Sequence, residues 1–223
     1  MIDHIVTNNF HLGGLGRSGT RTIANFLTRY YHDYYWESVR CRYLYGDNLE
    51  EYVSTINDEV LKDMILNSPH THHIYSKDAI ENFNKPTDKP KIMILRHPMK
   101  RGDSGSRVSF EPEFHGMPVL DTIDFDSIDY IIDFEELNWY VNLTQIDRNV
   151  NSNDEKMVAE MHQHLNQKHY GGLIKEWNRS DNDYSEDMII YKHIMKTKTK
   201  LPFDIWKDLL RNITECNIPT KII

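Results

Sequence analysis

Leu12-Gly-Gly-Leu-Gly-Arg-Ser-Gly-Thr20 places four glycines, an arginine and two hydroxyls within nine positions. Before it, Phe10 and Leu12 alternate with polar neighbours, as a short strand does. Gly13, Gly14 and Gly16 permit a tight turn through positive φ. After it, Ile23, Phe26, Leu27, Tyr30 and Tyr31 recur at helical spacing and form one apolar face. The expected order is therefore strand, glycine turn, helix. That geometry aims backbone N–H groups and the positive end of a helix at one spot, which suits an anion. Arg17 adds a full charge, and Ser18, Thr20 and Thr22 add hydroxyl donors. The loop differs from one that holds ATP or GTP. Such a loop carries Gly-Lys before Ser or Thr, whereas Gly19-Thr20-Arg21 stands here.

A second anchor lies far downstream. Lys91–Leu95 is a short apolar run that fits a central parallel strand. Arg96 follows at its C-terminal end, where open α/β sheets bind ligands. Pro98 holds His97 extended and suits a helix start. An arginine chelates a phosphate through two hydrogen bonds, and Ser104 or Ser106 can add another. The plainer role for Arg96 is a strand-end ion pair. Arg101-Gly-Asp-Ser-Gly-Ser-Arg107 is glycine-rich and reads as a poor helix former.

Gly-x-Gly-Arg-Ser-Gly-Thr at 14–20, with Arg96-x-Pro98 and Ser104 downstream, resembles the PAPS-dependent sulfotransferases. Arg17-Ser18-Gly19-Thr20 is most similar to the loop of tyrosylprotein and related bacterial members, and Gly19-Thr20-Arg21 to the heparan sulfate enzymes. The resemblance implies a P-loop-like fold, three layers α/β/α around a central parallel sheet. It implies that Gly16, Arg17, Ser18, Gly19, Thr20, Arg21 and Thr22 hold the 5′-phosphosulfate of the donor, 3′-phosphoadenosine 5′-phosphosulfate (PAPS). Arg96 and Ser104 then hold its 3′-phosphate. The product would be 3′-phosphoadenosine 5′-phosphate (PAP), and no metal is implied.

Sulfuryl transfer to a hydroxyl or amine needs a base. Tyr34–Val39 reads as a second strand that carries Glu37, and the tyrosylprotein and heparan enzymes carry a catalytic glutamate at a similar distance from the loop. Arg40 stands near an arginine of the tyrosylprotein type. The rival base is in His70-Thr-His72-His73, as cytosolic members use a histidine in a comparable region. Lys77 matches a lysine that members hold near the transferring group. Glu37 can equally be a solvent-facing residue on an edge strand. His70, His72 and His73, and separately His162, His164 and His169, lack a carboxylate or cysteine at ligand spacing, so no metal is expected.

These residues need a frame. A chain of 223 residues can build one sizeable core, and a single domain over 1–223 is expected. Its net charge of -8 argues against a general nucleic-acid or anionic-membrane surface. Binding charge must then be local, in Arg17, Arg96, Arg101 and Arg21. No signal peptide is expected from the opening residues, no apolar run reaches membrane length, and two cysteines make no disulfide framework. A soluble cytoplasmic protein is expected, as in bacterial or viral members, with a small-molecule, carbohydrate or peptide acceptor.

Leu49 to Ile65 keeps helical spacing and reads as one helix between the second and third strands. Either 129–137 or 187–192 supplies a later core strand, and 196–200 reads as a solvated turn. Residues 110–118 read as a loop that could line an acceptor pocket. Pro202 opens a last amphipathic helix. Two other classes remain: a P-loop nucleotide-dependent kinase or phosphotransferase, and a non-catalytic nucleotide-binding module of the same fold.

Overall fold

The computed structural model describes residues 2–31, 37, 40–41, 44–67, 79–106, 120–142, 156, 184–213 and 216–217. Strands β1 (Ile2–Thr7) and β2 (His11–Leu15) form an antiparallel hairpin with Ile5 opposite Leu12. Its turn is built by Thr7. The Thr7 hydroxyl donates to the Phe10 carbonyl at 2.9 Å and accepts from the N–H groups of Asn9 and Phe10 at 3.1 and 2.8 Å. Those three bonds use the full capacity of a hydroxyl.

Strand β3 (Lys91–Leu95) is buried at every position, as its unbroken apolar run requires of a strand covered on both faces. It runs parallel to β2 on one side and to β4 (Tyr130–Asp133) on the other. The two-residue β5 (Cys216–Asn217) pairs antiparallel with β1, and the sheet order is β4-β3-β2-β1-β5. The protein is thus α/β, but its sheet is mixed. The expected parallel arrangement is confined to β2, β3 and β4, because Asn8-Asn9 closes a hairpin that sets β1 antiparallel.

The chain divides into two compact units, one comprising Met1–Thr22, His73–Val141 and Leu173–Asn217, the other Ile23–His72, Asn142–Gly172 and Ile218–Ile223. The first holds the sheet, with a core that includes Ile2, Leu15, Phe83, Met93, Leu95 and Ile131. The second has its own cluster of Cys41, Val53, Leu61 and Ile65.

Helix α1 (Thr20–Tyr31) starts where the change of period predicts, and Ile23, Phe26 and Leu27 are buried. Two helices, α2 (Leu49–Ser54) and α3 (Glu59–Asn67), replace the single helix expected at 49–65. Asp58 causes the break. Its carboxylate accepts from the Leu61 N–H at 3.1 Å and so caps a new helix, and such short side chains favour caps over helix interiors. Glu37 has helical backbone, as do Arg40 and Cys41, so the strand expected at 34–39 is not formed at Glu37.

In the first unit, α4 (Ala79–Asn84) sets Phe83 against the sheet. Helix α5 (Pro98–Ser106) has Pro98 at its first position, and Arg101 donates its N–H to the His97 carbonyl at 2.9 Å. The glycine-rich run 101–106 is therefore helical, against its propensity. The compensation is tertiary. Arg101 is 3 % exposed and pairs with the equally buried Asp187 at 3.3 Å.

Of the two candidate core strands, β4 takes the first. Residues 187–192 lie in α7 (Ser185–Thr197), where Asp187 and Ile194 are buried and Tyr191 packs on the core at helical spacing. Lys198–Leu201 is more than a solvated turn. Thr199 and Leu201 bond to the Ile131 backbone at 3.0 and 2.8 Å and cover the outer edge of β4. Helix α8 (Phe203–Arg211) follows Pro202 as expected, with Trp206 and Leu210 buried. No helix among the described residues is long and apolar enough to cross a membrane.

Candidate functional site

Gly14 of β2 lies in register with Ile94 of β3, and Leu95 with Asp133 of β4. The parallel order therefore brings the ends of three strands to one edge, where Gly16, Arg96 and Phe134 follow in turn. The two anchors read in the sequence come from adjacent strands.

The turn itself is Gly16–Gly19. Gly13 and Gly14 lie inside β2 instead. They are needed for space rather than for positive φ. A Cβ on Gly13 would sit 2.6 Å from Phe83 Cε2, and one on Gly14 would sit 2.3 Å from Thr20 Cγ2. Positive φ falls on Arg17 at 69° and Gly19 at 84°. A left-handed residue costs a non-glycine about 1–2 kcal/mol, so Arg17 must be held there. The Ser18 N–H closes onto the Leu15 carbonyl at 3.0 Å, and the Thr22 N–H onto Gly19 at 3.0 Å. Left-handed residues alternating with ordinary ones turn successive N–H groups towards one concavity, an anion-binding arrangement. It leads directly into the first turn of α1, where the Thr22 N–H is already taken by the Gly19 carbonyl.

The hydroxyls divide differently. Thr20 is buried and donates its hydroxyl to the buried Asp3 carboxylate, so that hydroxyl is committed within the protein. Its contribution to an anion is confined to the backbone. Ser18 is buried, whereas Thr22 is exposed. Arg21 lies in α1, one turn position before Thr22.

Arg96 reaches back to the loop. Its Nη1 donates to the Arg17 carbonyl at 2.8 Å, and its guanidinium carbon stands 4.2 Å from the centre of the Phe134 ring. Phe134 and Leu137 in turn press on the loop. A Cβ on Gly19 would lie 2.5 Å from Leu137 Cδ2 and 2.9 Å from Phe134 Cε2. Phe134 opens a short 3-10 turn that runs into helix α6 (Leu137–Tyr140), and the Asp133 carboxylate caps that turn at the Glu135 N–H. Phe134 and Leu137, in the segment after β4, thus clamp the glycine loop.

Charge around Arg96 is balanced. Lys100 pairs with Glu135 at 2.8 Å, and Lys200 bonds to Glu136 and lies 3.8 Å from Asp133. The Lys100 hydrogen bond and charge, with smaller help from Arg96 and His97, hold the Glu135 carboxyl below its ordinary value. Next to Arg96, the ring of His97 meets Tyr191 edge-on at 5.5 Å, and its buried Nδ1 has no hydrogen-bond partner among the described residues. The sequence marks His97 only as a residue before proline, and Phe134 only as part of the 129–137 candidate strand; neither signal points to Arg96 or the loop.

Arg101 does not belong to the site, because its charge is spent on Asp187 inside the first unit. Ser104 and Ser106 both lie in α5. Glu37 is exposed and belongs to the second unit. His70, His72, His73, Lys77, 110–118 and the histidines at 162, 164 and 169 lie outside the described residues. Among the described residues, no three His, Cys, Asp or Glu side chains gather to hold a metal. No family model, curated protein or solved structure matches this chain.

Proposed function

We propose that this chain is a sulfotransferase of a P-loop-like fold that uses PAPS as donor and releases PAP. The observation that carries the reading is the adjacency of β2 and β3, which brings the glycine loop and Arg96 to one sheet edge. A nucleotide with phosphates at both its 5′ and 3′ ends matches two anion anchors set side by side.

The loop N–H groups, with Arg17, hold the 5′-phosphosulfate, and Arg96 with Ser104 holds the 3′-phosphate. The acceptor oxygen or nitrogen forms a bond to sulfur as the bond from sulfur to the phosphate oxygen breaks. The departing phosphate gains negative charge, which Arg17 and the preorganised N–H groups stabilise. A base takes the acceptor proton, with Glu37 the first candidate and His70, His72 or His73 the rivals. Lys77 assists at the transferring group. Most of the rate then comes from positioning and fixed dipoles, as in phosphoryl transfer, but with less charge to neutralise and no need of a metal. Titration with PAP in metal-free buffer tests the reading. Preference for ATP with Mg²⁺ replaces it with a phosphotransferase, and PAP binding without transfer to any acceptor leaves a binding module.

A further inference from the structure

We infer that Arg96 and Phe134 form a latch that makes the two anchors of the nucleotide site interdependent; the ligand side of this inference rests on the function just proposed. The loop has two left-handed residues, Arg17 and Gly19. Each is held by one member of a contacting pair. Arg96 binds the Arg17 carbonyl, Phe134 packs on Gly19, and the Arg96 guanidinium lies over the Phe134 ring. The three contacts close a triangle across the C-terminal ends of β2, β3 and β4.

Two consequences follow from this closure. The guanidinium that would receive the 3′-phosphate already fixes the conformation of the loop that would receive the 5′-phosphosulfate. A 3′-phosphate that holds Arg96 in place therefore also steadies the Arg17 carbonyl, and the two ends of the nucleotide bind cooperatively. Phe134 contributes to affinity without a polar contact, because it backs the guanidinium and excludes any side chain at Gly19. Arg96 and Phe134 are positioning residues for the loop.

The test pairs two ligands with two variants. 5′-AMP lacks the 3′-phosphate, so an Arg96 that served only that phosphate would be irrelevant to it. The latch predicts that Arg96→Ala weakens 5′-AMP as well as PAP, and that Phe134→Leu weakens PAP by at least about fivefold. An unchanged 5′-AMP affinity in Arg96→Ala, with PAP affinity lost, overturns the coupling and leaves the donor site standing. Amide hydrogen exchange at Gly16–Thr20 reads the latch without any ligand. Both variants should exchange faster there while β3 amides keep their protection. Protection at Gly16–Thr20 equal to the wild type in both variants overturns the latch. A wild type that binds neither nucleotide refutes the proposed function, and the exchange result still decides the latch.

Discussion

Arg96 donates a 2.8 Å hydrogen bond to the carbonyl oxygen of Arg17, joining positions 79 apart in sequence. The contact holds Arg17 at a φ of 69°, where a residue with a Cβ is strained. Two substitutions separate strain from charge. Arg17→Gly removes both the charge and the strain, and Arg17→Ala removes only the charge. The glycine variant should be more stable than the alanine variant by about 1 kcal/mol, read by urea denaturation. Both should lower turnover about 10²–10³-fold if Arg17 stabilises the leaving phosphate. Equal stability of the two variants would contradict the strain argument, and near-normal turnover would remove the catalytic role.

The buried pair of Arg101 and Asp187 yields a stability prediction. Asp187 also accepts the Leu120 N–H at 3.0 Å, so it ties α7 to the segment before β4. Asp187→Ala leaves a guanidinium buried and should cost about 3–5 kcal/mol in chemical denaturation. Replacing both residues, as Arg101→Met with Asp187→Leu, should recover much of that loss. A single variant as stable as the wild type would mean that the pair is not buried in solution.

Much of the frame was legible because its signals are local. The period change at Thr20, the apolar run of β3 and Pro98 and Pro202 at helix starts each identify an element within a few residues. What failed depended on distant partners. Gly13 and Gly14 read as turn residues, yet they leave room for Phe83 and Thr20. Residues 101–106 read as a poor helix, yet Arg101 meets a carboxylate 86 positions away. The place of Arg96 at the sheet edge was legible from its position after β3. The contact of Phe134 with it was not, because an apolar side chain after a strand announces no partner.

At the opposite end of β2 from the loop, His4 and His11 face each other across the hairpin with 3.2 Å between Nε2 and Nδ1. Burial, then His11 and Lys91, push the His4 pKa down from 6.5 to about 4. Burial and the charges of Lys89 and Lys91 lower His11 too, against an opposing pull from Asp88. Between these values the unfolded chain holds a proton at His4 that the fold does not. Stability should therefore be full above about pH 6.5 and fall as pH drops towards 4, by about 1–2 kcal/mol from His4 once its partial exposure is discounted. Urea denaturation at intervals across that range reads the slope. His4→Gln should flatten it, and a slope unchanged in that variant would assign the effect elsewhere.

Glu37 is the first candidate for the base, on an exposed helical position. Glu37→Gln should keep the wild-type affinity for PAP and abolish sulfuryl transfer. Retained turnover would move the role to the histidines at 70, 72 and 73, which single substitutions to Gln would then separate.

The central claim is that two adjacent anchors grip a nucleotide phosphorylated at both ends. Its most direct test is calorimetric titration of the wild type and Arg96→Ala with PAP in the absence of metal, beside ATP with Mg²⁺. The account predicts tight, metal-independent binding of PAP by the wild type, loss of that binding in Arg96→Ala, and no preference for ATP. Preference for ATP with Mg²⁺, or PAP binding indifferent to Arg96, would contradict it.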